Sequence, residues 1–254
     1  MDCLWCGRAT GKEPVEHIIP DSLGCPPGLI FTDGEVCARC NNRFSRLDQI
    51  LIREFDMVRF MAGVPNKKGR QPTIAMRSNT KARYTDGGPY IEINMETHSV
   101  RNARGETIGA NTRDSRSLAV HVQKVGALGE ARVSQEGLCN SRDACRALHK
   151  VAFSLFAKQL GMERARGRRF DPVREYVRSG RGNRKVLLAA ACQGFSYHNA
   201  TFQSDGSELD SEVSAFRIAM VCFFVDLSPE QSWLPTLMSK FTGCLRDSWT
   251  WVPL

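Results

Sequence analysis

The sequence predicts a protein of the α+β class, in which a small metal-stabilised N-terminal unit precedes a larger mixed domain. Two Cys-x2-Cys pairs stand within the first 40 residues, apolar residues then recur at helical spacing, and the rest of the chain mixes strand-like and helical runs. With 254 residues and a hydrophobic fraction of 42%, the chain is large enough to bury a substantial core. We expect two domains, 1–62 and 73–254, joined by the Gly-, Pro- and Lys-rich segment 63–72.

The first unit has the pattern of two strands followed by a helix. The run "PVEHIIP" predicts a short strand that ends at Pro20, and "LIFTDGEV" predicts a second strand with a turn at Asp33-Gly34. From Asn41 the pattern becomes helical, with apolar residues three and four positions apart at Phe44, Leu47, Leu51, Phe55 and Val58.

The remaining chain predicts an α+β domain whose topology does not follow from the pattern. The runs "YIEINM" and "SLAVHVQKV" alternate like strands, and "HSVRNARGETIGANTRDSRS" between them has no period and predicts a loop. A helix capped by Asn140 or Ser141 should end at Gly161, and another should start with Asp171 as its cap. The runs "RKVLLAAAC" and "SAFRIAMVCFFVDL" predict buried strands.

The positive charge is concentrated in one stretch of the chain. The net charge is +8, and residues 142–185 carry 13 Lys or Arg against 4 Asp or Glu. Such a stretch is typical of a surface that binds phosphate backbones, although a solvated helix face has the same composition. Its candidate nucleic-acid-binding residues are Arg164, Arg166, Arg168 and Arg169.

The N-terminus predicts a cytoplasmic location. "MDCLWCGRATGKEPVEH" has an early acidic residue and no apolar segment of the kind that directs secretion, and no apolar run is long enough to span a bilayer. In a reducing compartment, ten cysteines are more readily explained as thiols and metal ligands than as disulfides.

The two cysteine pairs predict a structural zinc site. Cys3 with Cys6 and Cys37 with Cys40 supply four thiolates, the ligand set of a closed tetrahedral zinc site. The 30 residues between the pairs exceed the spacing of an ordinary zinc ribbon, so the pairs must flank an inserted segment.

The inserted segment carries the candidate chemistry. A zinc ion that holds its flanks together would bring Asn41, directly after Cys40, close to Glu16 and His17. Oxygen ligands suit Mg²⁺ or Mn²⁺, a histidine can take a proton from water, and a helix N-terminus favours phosphate. Together these groups are suited to metal-assisted hydrolysis of a phosphodiester. A structural histidine held by Glu16 is the alternative.

The order "C-x2-C … EHIIP … C-x2-C-N" resembles the HNH endonucleases with a ββα-metal fold and a flanking four-cysteine zinc site. The resemblance covers about the first 50 to 60 residues. It implies that His17 is the general base, that Glu16 and Asn41 are ligands of a catalytic divalent metal, and that the four cysteines bind structural zinc.

One motif position departs from the family. The middle Asn expected shortly before the second cysteine pair is absent from "FTDGEVC", where Thr32 or Asp33 could replace it. Asn42 and Arg43 follow Asn41 directly, Arg43 could contact phosphate, and Asp48 could support the site from the same helical face as Asn41. For each of the three, a position on the helix surface is the preferred explanation.

The sequence therefore predicts a Mg²⁺- or Mn²⁺-dependent HNH endonuclease that hydrolyses DNA, and the resemblance points to restriction or phage defence. A chain with one active site cuts both strands as a homodimer or in two turnovers. The alternatives are a non-catalytic zinc module that binds nucleic acid and an enzyme that acts on RNA, because the local chemistry does not distinguish the sugars.

Overall fold

The computed structural model describes residues 1–55, 69, 141–190, 212–218, 221–242 and 252–253, together with seven strands between residues 73 and 135. By its internal contacts the chain forms two compact units, one of Met1–Arg53 with Cys139–Leu254 and one of Glu54–Leu138. These units do not follow the predicted division into 1–62 and 73–254, because the first 53 residues group with the C-terminal part. The predicted linker, 63–72, lies outside the described residues except for Gly69.

The N-terminal segment contains strand β1 (Glu16–His17), strand β2 (Ile30–Phe31) and helix α1 (Ala38–Glu54). β1 and β2 are antiparallel, with Glu16 opposite Phe31 and His17 opposite Ile30. The order strand, strand, helix is the predicted one. Helix α1 begins at Ala38 rather than Asn41, and its first N–H is satisfied by Oε2 of Glu13 at 2.8 Å.

The unit of residues 54–138 contains two antiparallel sheets. One has the strand order β3-β4-β5 and the other β6-β7-β8-β9. The predicted loop "HSVRNARGETIGANTRDSRS" was wrong, because it contains β6 and β7, whose polar, Gly-containing residues hide the strand period. The strands are β3 (Thr73–Ala75), β4 (Lys81–Thr85), β5 (Gly88–Glu92), β6 (Ser99–Arg101), β7 (Thr107–Arg113), β8 (Leu118–Val125) and β9 (Leu128–Gln135).

The C-terminal part combines helices with one four-stranded antiparallel sheet in the order β11-β12-β10-β13. The strands are β10 (Leu187–Ala190), β11 (Val213–Ile218), β12 (Val221–Asp226) and β13 (Val252–Pro253). The helices are α2 (Arg142–Leu160), α3 (Met162–Arg166), α4 (Asp171–Ser179) and α5 (Leu234–Thr242).

The predicted ends of α2 are confirmed, and the predicted cap of α4 is wrong. Ser141 caps α2 by accepting a hydrogen bond from Ala144 N at 3.1 Å, and Gly161 ends the helix. Asp171 lies inside the first turn of α4, and the preceding residue, Phe170, takes the cap position.

Helix α2 is the centre of the larger unit. Thirteen of its residues are buried, and Ser214 of β11 donates to Ala152 O at 2.9 Å. Trp5, which lies between the first two cysteines, makes edge-to-face contacts with Phe44 of α1 and Phe153 of α2, with ring centroids 5.0 and 5.4 Å apart. The N-terminal segment is too short to bury this indole by itself, so it uses a helix from the far part of the chain.

Candidate metal centres and nucleic-acid interface

The four predicted zinc ligands meet at one place. The sulfur atoms of Cys3, Cys6, Cys37 and Cys40 all lie within 4.8 Å of one another, and the Sγ atoms of Cys6 and Cys37 are 3.7 Å apart. Four sulfurs about 2.3 Å from one ion, at tetrahedral angles, would be about 3.8 Å apart. Their separation and soft thiolate chemistry therefore fit a metal ion such as zinc.

Backbone groups prepare this cluster for a metal. The N–H of Cys37 donates to Sγ of Cys3 at 3.4 Å, and the turn that holds the first pair is closed by Gly7 N donating to Cys3 O at 2.9 Å. A hydrogen bond from the Cys40 thiol lowers the pKa of Cys3, whereas burial raises the pKa of Cys37. Cys3 therefore ionises more readily than Cys37, and a negative charge on Cys3 adds to the effect of burial on Cys37.

The structure brings Asn41 to the strand that carries Glu16 and His17. Asn41 Nδ2 donates to Val15 O, the residue before Glu16, at 3.4 Å. His17 is half-buried, and Ile18 N donates to Leu29 O at 3.0 Å, which closes the hairpin around it. The predicted closeness of helix start and first strand is therefore present, with the amide of Asn41 turned to the backbone of that strand.

Glu16 is paired with a residue that the sequence did not point to. Lys150 of α2 has a fully buried side chain, and its Nζ lies 2.6 Å from Oε1 of Glu16. The same ammonium donates to Oδ1 and Oδ2 of Asp48 in α1 at 2.7 and 2.9 Å. Asp48 thus supports Glu16 through Lys150, and the interaction joins β1, α1 and α2.

The charges of this triad stabilise one another. Burial raises the pKa of Glu16, and the positive charge of Lys150 opposes that rise. Burial alone would lower the pKa of Lys150, but Asp48 and Glu16 raise it above its ordinary value. Lys150 therefore stays charged, and it is the only cation placed between the two carboxylates of this triad among the described residues.

Neither candidate for the missing middle Asn is hydrogen-bonded to the histidine in the part of the chain that the structure describes. Thr32 and Asp33 are exposed, and Asp33 N donates to Oε2 of Glu35 at 2.7 Å. Among the described residues, no hydrogen bond joins either side chain to His17.

The predicted basic residues divide into exposed and structurally engaged ones. Arg43, Arg164 and Arg168 are exposed, and Arg164 lies over the ring of Phe156 at 5.9 Å. Arg169 binds the buried Glu212, with Nη2 2.9 Å from Oε2, and Arg166 donates to Asp2 O. The first three are therefore better placed than the last two to contact a ligand from solvent.

A basic cleft lies beside the cysteine cluster. It has a volume of about 190 Å³, and its lining residues are Cys6, Cys40, Arg8, Arg39, Arg43 and Arg178. The sequence singled out only Arg43 among them, although Arg178 belongs to the basic stretch 142–185. Arg8 comes from a separate segment of the chain, and Arg39 precedes the predicted start of the helix.

Comparisons with protein-family models, with curated proteins and with solved structures found no match. In the part of the chain that the structure describes, no helix has the length and apolar character needed to cross a bilayer. Inferences about function therefore depend on the sites themselves.

Proposed function

We propose that this protein is a divalent-metal-dependent endonuclease of the HNH type that hydrolyses phosphodiester bonds in DNA. The observation that carries the proposal is the combination of a four-cysteine cluster with the hairpin and helix that it flanks. Because Asn41 follows Cys40 and donates to Val15 O at 3.4 Å, three predicted site residues lie on two adjoining elements.

In this proposal each group has a defined role. His17 accepts the proton of the attacking water, which lies in line with the scissile bond. Glu16 and Asn41 would hold Mg²⁺ or Mn²⁺ through their oxygen atoms, and the bound ion would stabilise negative charge on the phosphate and the leaving 3′ oxygen. The product would carry a 5′ phosphate. The four cysteines hold zinc and thereby fix the distance between His17 and Asn41.

The buried Lys150 is compatible with this role. Glu16 and Asp48 carry two negative charges against the single charge of Lys150, so a further cation is still attracted. The ammonium also keeps the Glu16 carboxylate in one place, and a ligand held in position binds metal with less loss of conformational freedom.

The wider context extends the proposal. Exposed Arg43, Arg164 and Arg168 supply affinity for the phosphate backbone without base readout. A cytoplasmic location, a homodimer that cuts both strands, and a role in restriction or phage defence are proposals that come from the sequence and its resemblance alone.

A supercoiled-plasmid assay tests the proposal. Purified protein with Mg²⁺ or Mn²⁺ should nick or linearise the plasmid, and omission of these ions should stop the reaction. His17→Ala and Asn41→Ala should each slow cleavage by roughly 100-fold or more. Asn42→Ala is the matched control, because Asn42 is the exposed neighbour of Asn41 and its variant should cleave at the wild-type rate. Equal cleavage by His17→Ala and wild type would refute the proposed mechanism.

A second candidate function is a zinc-containing module that binds nucleic acid without cleaving it. The Lys150–Glu16 distance of 2.6 Å favours it, because an ammonium then occupies a predicted metal ligand. This candidate predicts salt-sensitive DNA binding, bound zinc and no metal-stimulated cleavage of plain or base-modified plasmid. Competition between matched DNA and RNA duplexes then decides which nucleic acid is bound.

A further inference from the structure

Four arginines line the cleft beside the cysteine cluster. Arg8 follows the first cysteine pair, Arg39 and Arg43 lie one turn apart on α1, and Arg178 comes from the last turn of α4. Arg8, Arg39 and Arg43 are exposed and Arg178 is half-buried, so the cleft is open to a ligand from solvent.

None of these four side chains has a partner of opposite charge among the described residues. Other arginines of the described residues form ion pairs and side-chain hydrogen bonds. Arg174, for example, binds Asp171 and three carbonyls at the end of α3. Arg184 binds three carbonyls at the end of β12 and just after it. Arginines with a structural role in this protein therefore have acceptors within the chain, whereas the arginines of the cleft are available to bind a ligand.

A zinc ion bound to the four cysteines would not balance the positive charge of the four arginines. A zinc ion with four thiolates carries a net charge of about −2, and Cys6 and Cys40 line the cleft. Four guanidinium groups exceed that charge by about two, so the cleft attracts a further anion. Its volume of about 190 Å³ is that of roughly six water molecules, which is enough for a phosphate group and part of a sugar.

The cleft is separate from the proposed hydrolytic site. Arg39 and Arg43 are four positions apart and share a face of α1, whereas Asn41 lies two positions from each and points to the other side of the helix. Both sides are adjacent to the start of α1. A nucleic acid bound in the cleft would therefore lie close to Asn41, but the arginines themselves would not belong to the proposed hydrolytic site.

We propose that the cleft of Arg8, Arg39, Arg43 and Arg178 binds a backbone phosphate of the nucleic-acid substrate, next to the zinc centre and on the opposite face of α1 from Asn41. This inference rests on the proposed function for its ligand. Arginine suits the task because its planar group can donate two parallel hydrogen bonds to phosphate oxygens. Such an interaction would position the duplex without reading its bases.

A binding titration that is independent of cleavage tests this inference. The full chain with His17→Ala is titrated into fluorescently labelled 20-base-pair DNA without added Mg²⁺ or Mn²⁺, over a series of salt concentrations. Adding Arg39→Gln and Arg178→Gln should weaken binding about 10- to 100-fold and lower the salt slope by about one for each phosphate that is no longer bound. Arg53→Gln is the matched control on the same helix, because it removes an exposed charge away from the cleft.

Three results would overturn the inference. The first is unchanged affinity and salt slope in the double variant. The second is loss of zinc from that variant, measured by elemental analysis, because the arginines would then serve the metal centre. The third is displacement of DNA by micromolar inorganic phosphate at constant ionic strength, which would assign the cleft to a free ion. Cleavage by wild type, with DNA binding unchanged in the double variant, would refute this inference alone. DNA binding that depends on the arginines, without cleavage by wild type, would refute only the proposed nuclease activity.

Discussion

The ammonium of Lys150 lies 2.6 Å from Oε1 of Glu16 and joins the N-terminal hairpin to the central helix of the C-terminal part. The same group binds both oxygens of Asp48, so its burial is compensated by two carboxylates. Removing it would leave those carboxylates without a counter-ion inside the protein.

Lys150→Met should therefore destabilise the fold strongly. Loss of one partner of a buried ion pair typically costs about 3–5 kcal/mol, because the remaining charge is left uncompensated. Urea denaturation followed by circular dichroism measures the change. Lys158→Met is the control on the same helix. The Lys158 side chain is exposed and its Nζ lies 5.7 Å from the centroid of the Phe31 ring, so its loss should cost about 1 kcal/mol or less. A Lys150 variant as stable as the control would show that the triad contributes little.

The buried His149 should make the protein sensitive to acid. Burial lowers its pKa to about 3, with Arg184 contributing, and its Nδ1 lies 2.8 Å from Cys145 O. The folded value is below that of the unfolded chain, about 6.5, so the unfolded state takes up the proton first as the pH falls. Stability from this group is complete above pH 6.5 and is lost progressively toward pH 3, by up to about 1.4 kcal/mol per pH unit.

Comparison of wild type with His149→Gln isolates this effect. Free energies of unfolding measured between pH 7 and pH 5 should fall more steeply for wild type, because the variant has no imidazole to protonate. Parallel pH profiles for the two proteins would assign the acid sensitivity to other groups, such as the cysteine cluster.

Cys37→Ser should remove the structural metal. The cluster offers four sulfur atoms within 4.8 Å of one another, so we expect about one zinc per chain in wild type and a large loss in the variant. Without the metal the first hairpin is no longer tied to the start of α1, and the variant should unfold at lower temperature. Cys25→Ser is the control, since Cys25 stands outside the cluster and its thiol donates to Leu29 O. Full zinc content in Cys37→Ser would contradict the assignment.

Gly34→Ala should distort the turn before the second cysteine pair. Gly34 has φ +85°, and an added Cβ would lie 2.8 Å from Gly11 O and 2.9 Å from Thr10 Oγ1. The left-handed backbone alone costs a residue with a side chain roughly 1–2 kcal/mol. Gly28→Ala measures that cost by itself, because Gly28 has φ +89° and nothing within 4 Å of the added atom. The denaturant midpoint of Gly34→Ala should therefore be lower than that of Gly28→Ala, and the reverse order would contradict the packing argument.

The features that sequence reasoning captured are those encoded locally. The two cysteine pairs, the strand at Glu16 and the cap at Ser141 each depend on a few neighbouring residues, and all are present in the structure, although the strand ends at His17 rather than at Pro20. The approach of Asn41 to the first strand was predicted because a metal centre would link the cysteines that flank both elements.

The features that sequence reasoning missed depend on contacts between distant parts of the chain. Lys150 was counted as one charge in a basic stretch, because nothing near it in sequence shows that it faces Glu16 and Asp48. Arg178 joins Arg8 in one cleft only through the packing of α4 and the N-terminal turn in the larger unit. Polar strands such as β7 were missed because their pairing, rather than an apolar period, defines them.

The contact of Trp5 with Phe153 has a consequence for biosynthesis. The ribosome completes the N-terminal hairpin and α1 first, but the helix that buries Trp5 and neutralises Glu16 follows only after residues 54–138 have been made. At about 5–20 residues per second, that interval is roughly 4 to 20 seconds. During it the nascent N-terminal segment exposes an indole and a glutamate without its lysine partner, so the contacts around Glu16 can form only after most of the polypeptide has been translated.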